Sequence, residues 1–192
     1  MCKETGGQTT AAWLANQGYK TRIFDVMEDT VAKLNELGGV NIYGNTDYPG
    51  FGKIEFATTD MEKAIEGCEL ILLILPENYH DSIAVKMAPY LKDGQIVVLN
   101  PASGLGAISF KKALTDAGCT ADVTLAVTCT LLFAARRAVS SSAVAVSRGD
   151  SDLREGAVLH SEASSDCTAA EPNISSRPED TGLSLSCSFI YE

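Results

Sequence analysis

Two rhythms of apolar positions alternate along the first two thirds of the chain. "KTRIFD" (residues 20–25) alternates with a period of two and closes on an acid, the pattern of a strand. "ELILLILP" (69–76) and "QIVVLNP" (95–101) are almost wholly apolar, as strands covered on both faces by helices must be. "ADVTLAVTCT" (121–130) is a third strand candidate. Between them lie helical periods: Thr9 to about Asn16, "MEDTVAKLNELGG", "TTDMEKAIEGC", "ENYHDSIAVKMAPYL" and "AISFKKALTDAGC". The caps agree with the periods. Thr58, Thr59 or Asp60 can cap the helix that follows them, and Gly38 and Gly39 end the one before. "VNIYGNTDYPGFGKIEFA" carries too many turn residues for one element and predicts a hairpin or an irregular excursion. Strands alternating with helices of this length predict parallel βαβ units, hence an α/β, doubly wound, Rossmann-like sheet over residues 1–137.

The pattern breaks after Arg137. Residues 138–192 are rich in serine, contain no lysine and hold neither period over a long window, except briefly in "SSAVAVS" and "LSLSCSFIY". Two expectations fit: a naturally disordered tail, or text from a shifted reading frame or misjudged splice site standing where a further domain would follow. "NIS" at Asn173 matches a glycosylation pattern that has no use in a cytosolic chain.

Composition narrows the function. A formal net charge of -10 repels phosphate backbones and speaks against nucleic acid as a partner. The longest apolar run is far short of a membrane span, and "MCKETGG" is no export signal. A cytoplasmic location is therefore expected. The six cysteines form no C-x-x-C pair and have no histidine cluster beside them, so no metal site is predicted and free thiols are the default.

The chemistry concentrates at the carboxyl ends of the predicted strands, where ligands of open α/β sheets sit. A dinucleotide site needs glycines between a strand and a helix N-terminus, then an acid roughly 20 residues on. Gly6 and Gly7 suit the helix start, and Asp25 stands where an acid binds the adenosine ribose hydroxyls. Val26, Met27, Glu28 and Asp29 follow without an arginine for a 2'-phosphate, which favours NAD over NADP. The first half of the fingerprint departs from the rule. Cys2 and Glu4 occupy two glycine positions, and no residues remain for the preceding strand, whose loss would expose the edges of two neighbours. Pro76 and Asn78 are expected near a nicotinamide ring, with Asn100 and Ser103 as polar contacts. His80 is either a proton carrier or a residue that faces solvent or caps its loop. Cys129 reads as a small buried hydrophobe rather than a nucleophile.

In their order and spacing, the "GGQ" helix start, the Pro-x-x-x-His loop at Pro76 and His80, "DGQIVVLNP" and "TLLFAAR" resemble the N-terminal domain of the octopine/nopaline (opine) dehydrogenases. The resemblance covers roughly residues 6 to 137. It implies an NAD(P)-dependent oxidoreductase that transfers hydride to the imine of an amino acid and a 2-oxo acid. By matching position it implies cofactor roles for Gly6, Gly7, Asp25, Pro76, His80 and Asn100. The resemblance places the family's catalytic histidine in a helical C-terminal domain, which residues 138–192 are expected to replace. Nothing around His160 matches it, and Val127 stands where the family motif has an acid. The expectation is thus a chain cut at both ends, without turnover of its own. A non-catalytic nucleotide-binding or interaction module, and a gene-model artefact with no settled fold, are the rival readings. A ketopantoate reductase or glycerol-3-phosphate dehydrogenase type of enzyme is a further one, against which the two loop motifs count.

Overall fold

The computed structural model describes residues 6–44, 49–137, 143–147, 158–160 and 186–191. The expected alternation is present. It runs α1 (Gly6–Asn16), β1 (Lys20–Asp25), α2 (Glu28–Leu37), β2 (Gly39–Gly44), β3 (Gly50–Lys53), β4 (Phe56–Thr58), α3 (Met61–Ile65) and β5 (Leu70–Ile74). There follow α4 (His80–Met87), β6 (Ile96–Asn100), α5 (Gly106–Asp116), β7 (Thr124–Val127), β8 (Ala134–Arg137), β9 (Ala143–Ser147), β10 (Val158–His160) and β11 (Ser186–Tyr191). Short 3-10 turns flank α4 at Glu77–Tyr79 and Ala88–Tyr90, so the single helix expected there is divided. Pro89, which has no N–H to give an α-helix, accounts for the second break.

The main sheet has the order β10-β7-β6-β5-β11-β1-β4, parallel throughout except for β10 on its edge. From β4 to β7 this is the six-position order of a doubly wound dinucleotide fold. The first position, empty in the sequence pattern, is held by β11. Its backbone pairs with β1 from Lys20↔Ser186 to Asp25↔Tyr191 and with β5 from Leu70↔Cys187 to Leu73↔Ile190. The two edges that a missing first strand would expose are thereby paired. Beyond the strands β9, β10 and β11, the serine-rich segment lies outside the described residues, and so do Cys2 and Glu4.

Burial explains why β5 has no polar alternation. Ile71 and Leu73 enter one core with Ile83, Met87, Phe110 and Leu114, while Leu72 and Ile74 enter a second with Ala11, Leu14, Ile23 and Leu34. Successive side chains of a strand point to opposite faces, and both faces are covered. The predicted hairpin is β2–β3, antiparallel from Gly39↔Lys53 to Ile42↔Gly50, and it joins β9 and β8 in a second, four-stranded sheet. Helix α1 packs against strands of both sheets. It is built for that place: Gly7, Thr9, Ala11 and Ala12 are small, and a Cβ added at Gly52 would stand 2.3 Å from the carbonyl oxygen of Ala12. The helix after residue 58 is capped by Asp60, which accepts from the backbone of Glu62 at 3.0 Å and Lys63 at 3.3 Å.

Candidate cofactor site

The predicted site residues gather along one edge of the main sheet. Asp25 ends β1, Ile74 ends β5 in register with Asn100 at the end of β6, and α1 begins at Gly6. The strand order reverses between β11 and β5, and a crevice outside the carboxyl ends at such a reversal is where these sheets hold ligands. Gly6 stands against that point. A Cβ there would lie 3.1 Å from Cγ2 of Ile74, so the glycine brings the helix N-terminus close to the strand end. The backbone N–H direction and the partial positive charge of a helix start favour a phosphate. Thr10 strengthens the first turn by donating its hydroxyl to the carbonyl of Gly6 at 2.9 Å.

Asp25 is 5% exposed, and its Oδ1 accepts the backbone N–H of Met27 at 2.9 Å. That bond folds the chain into α2 and holds the carboxylate at the strand end, where an adenosine ribose would offer its hydroxyls. Val26 and Met27 beside it are exposed and apolar. The glycine at the helix start and the fixed carboxylate suit a dinucleotide's pyrophosphate and ribose.

Past β5 the geometry is tighter than the motif suggests. His80 is 1% exposed, so it does not face solvent; it caps its loop, with Nε2 placed 3.2 Å from the carbonyl oxygen of Leu75. Its ring meets Phe110 edge-on at 6.5 Å between centroids. Burial pushes its pKa below the ordinary histidine value, outweighing the opposing pull of the Leu75 carbonyl and of the Glu77 and Asp81 carboxylates. The side chain is thus neutral and bound at Nε2, which is poor equipment for a proton carrier.

Asn100 is fully buried. Its amide donates to the Thr128 hydroxyl and to the Thr130 carbonyl at 3.2 Å, and its oxygen accepts from the Leu132 backbone at 3.4 Å. The side chain holds the loop after β7 to the end of β6. The same turn carries Cys129 outward: the strand stops at Val127 and the thiol is exposed, not buried as its position at a strand end suggested. Pro76 opens the turn after β5 and is half-buried, while Asn78 is exposed.

One residue with a part in the site left no mark in the sequence. Glu77 spans the gap to the loop after β6, accepting the Ser103 N–H at 3.2 Å and the Ser103 hydroxyl at 3.0 Å. The two glycines of "SGLG" were the available signal. The second, Gly106, is where a Cβ would strike Oε1 of Glu77 at 2.5 Å.

No protein-family model matches the chain. Among curated proteins it is similar to an opine dehydrogenase of Arthrobacter sp. (strain 1C), at 30% identity over 131 residues, 68% of this chain and 36% of the relative. It is also similar to a glycerol-3-phosphate dehydrogenase [NAD(P)+] of Agathobacter rectalis, at 31% identity over 99 residues, 48% of this chain and 27% of the relative. Among solved structures, an octopine dehydrogenase in complex with NADH and agmatine superposes with a TM-score of 0.61 at 22% identity, over 74% of this chain and 37% of that one. A ketopantoate reductase from Ralstonia eutropha follows the same fold with a TM-score of 0.52 at 16% identity, over 74% of this chain and 44% of its own. The chain spans little more than a third of the length of the opine dehydrogenase it matches. The likeness to opine dehydrogenases that the sequence motifs carry is met in sequence and in fold, and the similar proteins include a dehydrogenase named for NAD(P)+ and another solved with NADH.

Proposed function

We propose that this chain is the dinucleotide-binding part of an NAD-dependent oxidoreductase of the opine dehydrogenase type. One observation carries the reading: the α1 N-terminus, brought against the end of β5 by Gly6, and the buried Asp25 carboxylate flank a single strand-order reversal. Backbone N–H groups at Gly6 and Gly7 would hold the pyrophosphate, and Asp25 the adenosine ribose. Pro76 and the loop pinned by His80 would border the nicotinamide end, with Asn100 steadying the loop beside it. When bound, the cofactor supplies the hydride for an imine of an amino acid and a 2-oxo acid. The described residues bind and orient; His80, neutral and tied to Leu75, gives no proton to such an imine. NAD is preferred to NADP because no cation follows Asp25 in the turn.

Calorimetry of the chain with NADH tests this. Binding is expected, weaker with NADPH, and weakened about tenfold or more by Asp25→Ala, a loss of about 1.4 kcal/mol. A folded chain that takes up neither cofactor overturns the reading.

A further inference from the structure

We infer that Glu77 is a positioning residue that sets the spacing of the two loops bordering the nicotinamide half of the cofactor; this rests on the dinucleotide reading above. The loops after β5 and β6 leave the sheet at adjacent positions, Ile74↔Asn100, and nothing in the strand ladder fixes their separation beyond that point. Glu77 fixes it from the side. Both of its oxygens are taken by one residue, Oε1 by the Ser103 N–H and Oε2 by the Ser103 hydroxyl. A carboxylate gripped at two points has a defined orientation as well as a defined distance.

The surroundings are shaped for this grip. Gly106 leaves the space in which Oε1 sits, since a Cβ there would stand 2.5 Å from it. A second tie runs parallel one turn further on, where the Ser109 hydroxyl donates to Oδ2 of Asp81 at 2.8 Å and joins α5 to α4. Between the two ties lies a hollow of about 270 Å³ lined by Glu77, His80, Asp81, Leu105, Gly106 and Ser109. Behind it, His80 holds the Leu75 carbonyl. Each loop is therefore tied to its neighbour at the front and, after β5, to its own strand end at the back. The adenosine half of the cofactor, at Gly6 and Asp25, has no part in these contacts.

That asymmetry gives the test. Affinities for NADH and for ADP-ribose, which lacks the nicotinamide, are measured by calorimetry on the intact chain and its variants. Glu77→Ala is expected to weaken NADH about three- to tenfold, the range of one exposed charged hydrogen-bond pair, and to leave ADP-ribose unchanged. Gly106→Ala, which displaces the same carboxylate from the other side, should do likewise. Glu77→Gln should restore most of the loss, because its oxygen can accept from the Ser103 N–H while its amide donates to the Ser103 oxygen. A Glu77→Ala that alters both ligands equally, or neither, overturns the positioning role while binding by the native chain keeps the dinucleotide reading. A native chain that binds neither ligand overturns both.

Discussion

Nε2 of His80 and the carbonyl oxygen of Leu75, 3.2 Å apart, fix the state of the imidazole. A carbonyl only accepts, so Nε2 carries the proton and Nδ1 is left as an acceptor; it is buried and meets no donor among the described residues. Burial keeps the ring neutral in the folded chain, with its pKa below the ordinary 6.5. In the unfolded chain the ring titrates at its ordinary value. Above that value neither state is charged and His80 has no effect on the pH dependence. As pH falls through about 6.5 toward the lower folded value, the unfolded state takes up a proton that the folded state refuses, and stability is lost. Thermal melts from about pH 7.5 to 5.5 should show this decline. His80→Gln, which can still donate to Leu75, should flatten it.

The contact of Gly52 with Ala12 makes a different demand. A Cβ at residue 52 would meet the Ala12 carbonyl oxygen at 2.3 Å and its Cα at 2.4 Å, backbone atoms that cannot turn aside. The second sheet must then back away from α1, opening the core that holds Val40 and Ile42. Gly52→Ala should cost about 1–3 kcal/mol, the usual range for an overfilled interior. A urea titration should show the midpoint lowered with the slope unchanged.

The α/β alternation was legible because β5 and β6 are covered on both faces, and such strands write themselves as unbroken apolar runs. Asp25 was legible for a related reason: an acid closing an apolar strand has to be held there, and the Met27 N–H holds it. The state of Asn100 was not. "VLNP" marks a strand end, but whether its amide faces a ligand or a loop depends on Thr128, Thr130 and Leu132, some thirty residues away. The tie from Glu77 to Ser103 is equally remote in sequence. The segment in the first strand position showed only a short alternation in "LSLSCSFIY", too brief to reveal which strands it joins.

Gly6 separates cost to the fold from cost to the site. An alanine there would bring its Cβ to 3.1 Å from Cγ2 of Ile74, a side-chain methyl that yields with a shift of a few tenths of an ångström. The fold should lose about 1 kcal/mol or less. The helix start would still move from the end of β5, where the pyrophosphate is proposed to bind. Gly6→Ala should therefore lower NADH affinity about tenfold while the melting temperature of the free chain changes by only a few degrees. Equal affinity for wild type and variant would place the pyrophosphate elsewhere.

The pairing of β11 with β1 and β5 can be tested through the backbone alone. Ser188 stands opposite Arg22 on one side and Ile71 on the other, in the centre of the sheet. Proline there removes an N–H from a ladder with neighbours on both sides, and its ring crowds the strand beside it. Ser188→Pro should destabilise the chain by about 3 kcal/mol, and Ser188→Thr, which retains the N–H and favours the strand, should not. The effect should reach beyond stability. With β11 displaced, the edges of β1 and β5 at the strand-order reversal lose their common neighbour, and Asp25 and the α1 N-terminus lose the strand that sets the distance between them. Hydrogen exchange should then show amides of Lys20–Asp25 and Leu70–Ile74 exposed in the proline variant and protected in the threonine variant. NADH binding should fail in the first and persist in the second. Protection that is the same in both variants would mean that β1 and β5 do not depend on residues 186–191.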